Sequence, residues 1–129
     1  MSWDRFCELY LDTSEDRDSL LQRIAGLIGG AVRHGSVSGR ALEVDVRRND
    51  SRDPARAQDP DNGFLFFPLI LDIVAAEGVA REEYALAVDE LLKALARPGV
   101  RFVTAAEDEP SLWNGGRWDG TRSSDAGLS

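Results

Sequence analysis

The sequence predicts an α+β fold, a ferredoxin-like βαββαβ sandwich with two helices on a four-stranded antiparallel sheet. Three observations predict it. Four stretches carry strand patterning, at 6–12, 42–47, 64–74 and 100–104. Two others carry apolar residues at helical spacing and end at glycine or at Pro-Gly. Their order along the chain is strand, helix, strand, strand, helix, strand. The length of 129 residues matches one domain.

The elements follow in order. Phe6-Cys7-Glu8-Leu9-Tyr10-Leu11-Asp12 alternates, so Cys7, Leu9 and Leu11 face a core while Glu8 and Tyr10 face away. Asp12-Thr13-Ser14 offers N-cap oxygens, with Glu15 and Asp16 suited to a helix start. Leu20, Leu21, Ile24, Leu27 and Ile28 form one apolar stripe, and Gly29-Gly30 closes the helix. Ala31-Val32-Arg33 has weak strand character, and Gly35 to Gly39 reads as a loop. Leu42 to Arg47 alternates, with Leu42, Val44 and Val46 inward. Arg48 to Gly63 is a long polar connection with Pro54 and Pro60, of a length that is often functional or mobile. Phe64 to Val74 is apolar on both faces, with Leu65, Phe67, Leu69, Leu71 and Ile73 on the core side. Pro68 within it predicts a bulge or bend. Arg81-Glu82-Glu83 opens the second helix, whose stripe is Tyr84, Val88, Leu91, Leu92 and Leu95. Arg97-Pro98-Gly99 stops it, and Val100 to Thr104 is the last strand. The domain is expected to span 1–106. Residues 107–129 read as a flexible polar tail in which Trp113 and Trp118 either anchor a partner or dock on the body. Removing that tail is expected to leave the melting temperature nearly unchanged.

Composition excludes several classes. The chain is 43% apolar and 29% charged, with a net charge of −8. Residues 31–63 balance six acids with six arginines, whereas 1–30 and 107–129 each carry −3. Non-specific nucleic-acid binding needs a basic patch, so no nucleic-acid partner is expected. No apolar run approaches membrane-spanning length, and Met1-Ser2-Trp3-Asp4-Arg5 lacks the apolar core of a leader. Cys7 is the only cysteine, so a reducing cytoplasm is the default location.

No motif carries a reaction. Asp59-Pro60-Asp61-Asn62-Gly63 starts like a calcium loop, but Phe64 to Leu71 contains no acid to complete it, so it reads as a turn. His34 is the only histidine, and one cysteine cannot complete a zinc site. Gly26 to Gly30 ends a helix and is badly placed to cradle phosphate. No nucleophile elbow, Walker loop or dinucleotide fingerprint occurs, and no cofactor is expected. Arg47 to Asp53 holds three arginines able to clamp an anion, but Asp50 and Asp53 neutralise them locally.

The informative surface is the sheet face turned away from the helices. Strand parity places on it Glu8, Tyr10, Glu43, Asp45, Arg47, Phe64, Phe66, Ile70, Asp72 and Arg101. Three readings compete: a solvated face laced by ion pairs, a protein or self-association interface favoured by its aromatics, and a carboxylate acid/base pair.

Leu42-Glu-Val-Asp-Val-Arg-Arg-Asn-Asp50 and Asp59-Pro-Asp-Asn-Gly-Phe-Leu-Phe-Phe-Pro68 resemble a family of small bacterial proteins of unassigned function. The resemblance runs over roughly residues 5–106 and carries no catalytic assignment. In general character the acidic single domain is also similar to immunity proteins that neutralise toxins. The leading expectation is a non-catalytic interaction protein acting through Tyr10, Glu43, Asp45, Arg47, Phe66, Asp72 and Arg101 and through the 48–63 loop. A basic protein partner or a second copy is its expected partner. The alternatives are an ACT-like small-molecule-binding dimer and a small enzyme using Glu43, Asp45 or Asp72.

Overall fold

A computed structural model describes residues 5–105 and 112–120. Two helices, α1 (Arg17–Ile28) and α2 (Arg81–Leu95), cover one face of a seven-stranded sheet. The strands are β1 (Phe6–Asp12), β2 (Ala31–Arg33), β3 (Ser36–Ser38), β4 (Leu42–Arg48), β5 (Leu69–Ala75), β6 (Arg101–Thr104) and β7 (Arg117–Trp118). Their order is β2-β3-β4-β5-β1-β6-β7, and every neighbouring pair is antiparallel. The expectation of four strands is therefore corrected to seven among the described residues. No helix among the described residues is long and apolar enough to cross a membrane.

The additions lie at the two edges. Ala31–Arg33 and Ser36–Ser38 form a hairpin, although Gly35 to Gly39 reads as a loop in the sequence. His34 and Gly35 both take positive φ, 52° and 81°, which matches the twist of a two-residue hairpin turn. Val37 opposite Val44 supplies the buried anchor of β3. A strand of three residues, with one valine between two serines, is too short to show a period of two. At the other edge, Leu112 is buried in the core and Arg117–Trp118 pair with β6. Residues 112–120 are thus docked on the body, the second of the two alternatives that the sequence leaves for Trp113 and Trp118. Residues 107–111 and 121–129 lie outside the described residues.

The core is one cluster between sheet and helices, with Leu9, Val44, Leu71, Ile73 and Phe102 facing Leu20, Ile24, Leu91 and Leu92. All five predicted stripe residues of α2 are buried. Helix α1 starts later than the caps at 12–14 suggest. The Thr13 hydroxyl accepts from the Glu15 backbone N–H at 3.1 Å, a local turn that holds the chain non-helical until Asp16. Gly29 ends the helix in the left-handed conformation, φ 67°, as its position predicts.

The predicted strand 64–74 is also corrected. Gly63–Phe66 is a 3-10 turn and the strand begins at Leu69, one residue after Pro68. The β4–β5 register then runs unbroken from Arg48↔Leu69 to Leu42↔Ala75, so no bulge follows the proline, and the chain bends at Pro68 itself. Leu65 is exposed rather than inward, and Phe67 is buried outside the main core. One residue holds this segment back from the sheet. The Asn49 side-chain amide donates to the Leu65 and Phe67 carbonyls at 2.9 and 2.8 Å. Its carbonyl oxygen accepts from the Ser51 N–H at 3.0 Å, and its backbone N–H donates to Pro68 O. Asn49 is the one buried polar side chain among the described residues.

Candidate functional site

The registers decide what lies on the sheet face away from the helices. Tyr10 is opposite Ile70 and Glu8 opposite Asp72, while Asp45 is opposite Asp72 and Arg47 opposite Ile70. Asp12 is opposite Arg101. Glu8, Tyr10, Glu43, Asp45, Arg47, Ile70, Asp72 and Arg101 therefore share this face, as strand parity predicts. Phe64 and Phe66 do not extend it, because they sit in the 3-10 turn.

The face has two halves. One is covered by the chain itself. The β4–β5 connection folds over it, with the Phe64 and Tyr10 rings in a T-shaped pair at 5.3 Å between centroids and 80° between planes. Ile70 beneath is only 5% exposed. Arg101 belongs to this half. Its guanidinium donates to Asp12 Oδ2 at 2.8 and 2.5 Å, lies 4.7 Å from the Phe67 ring centroid, and donates to Ala57 O at 3.3 Å. Phe66 lies under Arg56, 5.4 Å from its ring centroid. Phe66 and Arg101 together line a cavity of about 330 Å³ beneath Arg52, Asp53 and Pro54.

The other half is open. Arg47 lies between two carboxylates, 2.9 Å from Glu8 Oε2 and 3.1 Å from Asp72 Oδ2. These pairs are part-exposed, so each contributes about 0.2–1 kcal/mol. Their larger role is to offset repulsion, because Asp45 and Asp72 face each other directly across two strands. The hydrogen bond to Asp72, ahead of the attraction of Glu8, raises the Arg47 pKa above its ordinary value. Asp72 keeps one oxygen, Oδ1, buried and without a hydrogen-bond partner among the described residues. Asp45 accepts from the Ser36 hydroxyl at 2.6 Å, and Glu43 stands exposed beside it. Phe6, 50% exposed opposite Val74, forms the apolar end of this half.

The structure thus brings Tyr10, Arg47 and Asp72 together through Glu8, places Glu43 and Asp45 beside them, and sets Arg101 and Phe66 apart under the loop. No three His, Cys, Asp or Glu side chains among the described residues are placed to hold one metal ion. Sequence reasoning missed Asn49, Asp12 and Phe67. Asp12 shares the parity of Tyr10, so its place on the face was readable; its pairing with Arg101, 89 residues away, was not.

The Tyr10 hydroxyl donates to Glu8 Oε1 at 3.3 Å. Burial, then the negative charge of Glu8, raises its pKa above the ordinary 10.0. A phenol whose folded pKa is raised lends stability that is complete below the unfolded pKa and is lost as pH rises through the folded one. The chain should therefore lose stability above about pH 10 more steeply than its Tyr10→Phe variant. Urea midpoints at neutral and alkaline pH measure this, and parallel curves for the two proteins would refute it.

A second feature borders the loop. A groove of about 550 Å³ runs between the 3-10 turns of the β4–β5 connection and the β6–β7 edge. Asp59, Asp61, Phe64 and Phe67 form one side, with Arg117, Trp118 and Asp119 on the other. Trp118 is fixed there by its indole N–H, which donates to Arg97 O at 3.0 Å.

No protein-family model, no curated protein and no solved structure matches the chain.

Proposed function

We propose that this chain is a non-catalytic protein-interaction domain, of the immunity or regulatory type, working in the cytoplasm on a basic protein partner. Its architecture is a ferredoxin-like sandwich enlarged at both edges. The order β4-β5-β1-β6 at the centre of the sheet, with α1 between β1 and β4 and α2 between β5 and β6, supports that reading.

The observation that carries the function is the open half of the sheet face. Glu8, Glu43, Asp45 and Asp72 stand on adjacent strands, with Arg47 ion-paired to Glu8 and Asp72. A rigid sheet holds these carboxylates in place, so a basic partner meets a preformed surface with little ordering cost. Phe6 at its end supplies apolar contact area of the kind interfaces use. The 48–63 loop borders the same face, and Asn49 fixes its shape.

Pull-down with the full chain tests the reading. Glu43→Arg/Asp45→Arg reverses the charge at two exposed positions outside the buried core. The double variant is expected to lose a partner that the parent retains, with an unchanged melting temperature. Equal recovery by the two proteins would remove the sheet face as the site. Light scattering on the same samples distinguishes a second copy from a different protein.

A further inference from the structure

The β4–β5 connection repeats one arrangement with its phenylalanines. The Arg101 guanidinium lies 4.7 Å from the Phe67 centroid and is paired with Asp12. The Arg56 guanidinium lies 5.4 Å from the Phe66 centroid and is paired with Asp53 at 3.7 Å. Each is a guanidinium held between a ring and a carboxylate. A ring face attracts the flat cation and a carboxylate accepts its N–H groups, so the two partners act together.

Phe64 is the third ring, and no cation lies over it among the described residues. Its one ring contact there is the T-shaped contact with Tyr10. Phe64 lines the groove together with Asp59 and Asp61. Asp59 spends Oδ1 on the backbone N–H groups of Asp61 and Asn62. Asp61 makes no ion pair among the described residues. Of the two arginines in the lining, Arg101 is already matched by Asp12, and Arg117 belongs to the opposite edge. The Phe64 end of the groove therefore has a ring and carboxylates but lacks the cation that its two neighbours have.

We infer that this end of the groove receives an arginine side chain from the protein partner, stacked on Phe64 and paired with Asp61. The inference rests on the interaction-domain reading and names the chemistry of the contact beside the sheet face. The planar guanidinium fits better than a lysine ammonium, because it can stack and pair at once.

The test uses the isotope-labelled full chain, with N-acetyl-arginine methylamide as probe and its neutral isostere N-acetyl-citrulline methylamide as control. A lone side chain should bind in the millimolar range, which amide shifts in NMR spectra can follow. The amides of Asp61 and Phe64 are expected to move saturably with the arginine probe alone. Asp61→Asn, which changes an exposed side chain and keeps its size, should remove most of that shift. Phe64→Leu should do the same if its spectrum otherwise matches the parent's. Equal shifts with both probes, shifts retained in Asp61→Asn, or no shift at the groove would each overturn the inference. Shifts confined to Glu43 and Asp45 would overturn it while leaving the sheet-face reading intact. That reading fails separately, in the pull-down with Glu43→Arg/Asp45→Arg.

Discussion

A chain carrying Leu112→Ala and Trp118→Ala should unfold at a distinctly lower temperature than the parent. Leu112 is 8% exposed and belongs to the core cluster. Trp118 packs against the same cluster, meets Trp113 at 6.2 Å between ring centroids, and pairs across β6 with Phe102, which is fully buried. Polar ties hold the segment in place as well: the Trp113 backbone N–H donates to Asp89 Oδ1 at 2.7 Å, and the Trp118 indole to Arg97 O. Truncating a buried leucine leaves a cavity and removes apolar contacts, and the tryptophan truncation uncovers the β6 edge. The double variant should lose about 3–5 kcal/mol, which lowers the melting temperature by on the order of 10 °C. Thermal unfolding by circular dichroism measures this. An unchanged midpoint would restore the view of 112–120 as a dispensable tail.

The second large effect is expected at Asn49. In Asn49→Asp the NH2 that donates to Leu65 O and Phe67 O is replaced by an oxygen facing two carbonyls 2.8–2.9 Å away. The two acceptors lose their donor, and the buried charge keeps only the Ser51 N–H as a hydrogen-bond donor. The cost should be about 3 kcal/mol, greater than for Asn49→Ala, which leaves the carbonyls unpaired but adds no charge. Because the site disfavours the ionised form, the defect of Asn49→Asp should shrink in acid and grow toward neutral pH, whereas that of Asn49→Ala should not follow this trend. Urea unfolding of both variants across that range provides the comparison. Equal stability of Asn49→Asp and parent at neutral pH would mean that the loop does not depend on this amide.

The same residue explains why the 64–74 segment misled the sequence reading. Its apolar residues fit a strand on both faces, and β-propensity favours one. Yet Asn49 captures the carbonyls of Leu65 and Phe67 that a ladder would need, and Pro68 offers no N–H to a ladder. Phe64, Phe66 and Phe67 then serve the loop as ring faces and cover for Tyr10, Arg56 and Arg101. A polar side chain fifteen or more residues upstream decides this, and no local pattern records it.

What the sequence determined by itself is what depends on short periods. Alternation of two placed Glu8, Tyr10, Asp45, Arg47 and Asp72 on one face, and helical spacing placed Leu20, Ile24, Val88 and Leu92 against the other. Both follow from backbone geometry within a few residues. What only the tertiary structure decided is which half of that face stays open. Coverage depends on contacts between distant segments: the loop over Ile70, Arg101 on Asp12, and Trp118 against the β6 edge. The acidic face was therefore legible as a set of residues. Its extent, and the groove beside it, depend on chain segments that meet only once the sheet has formed.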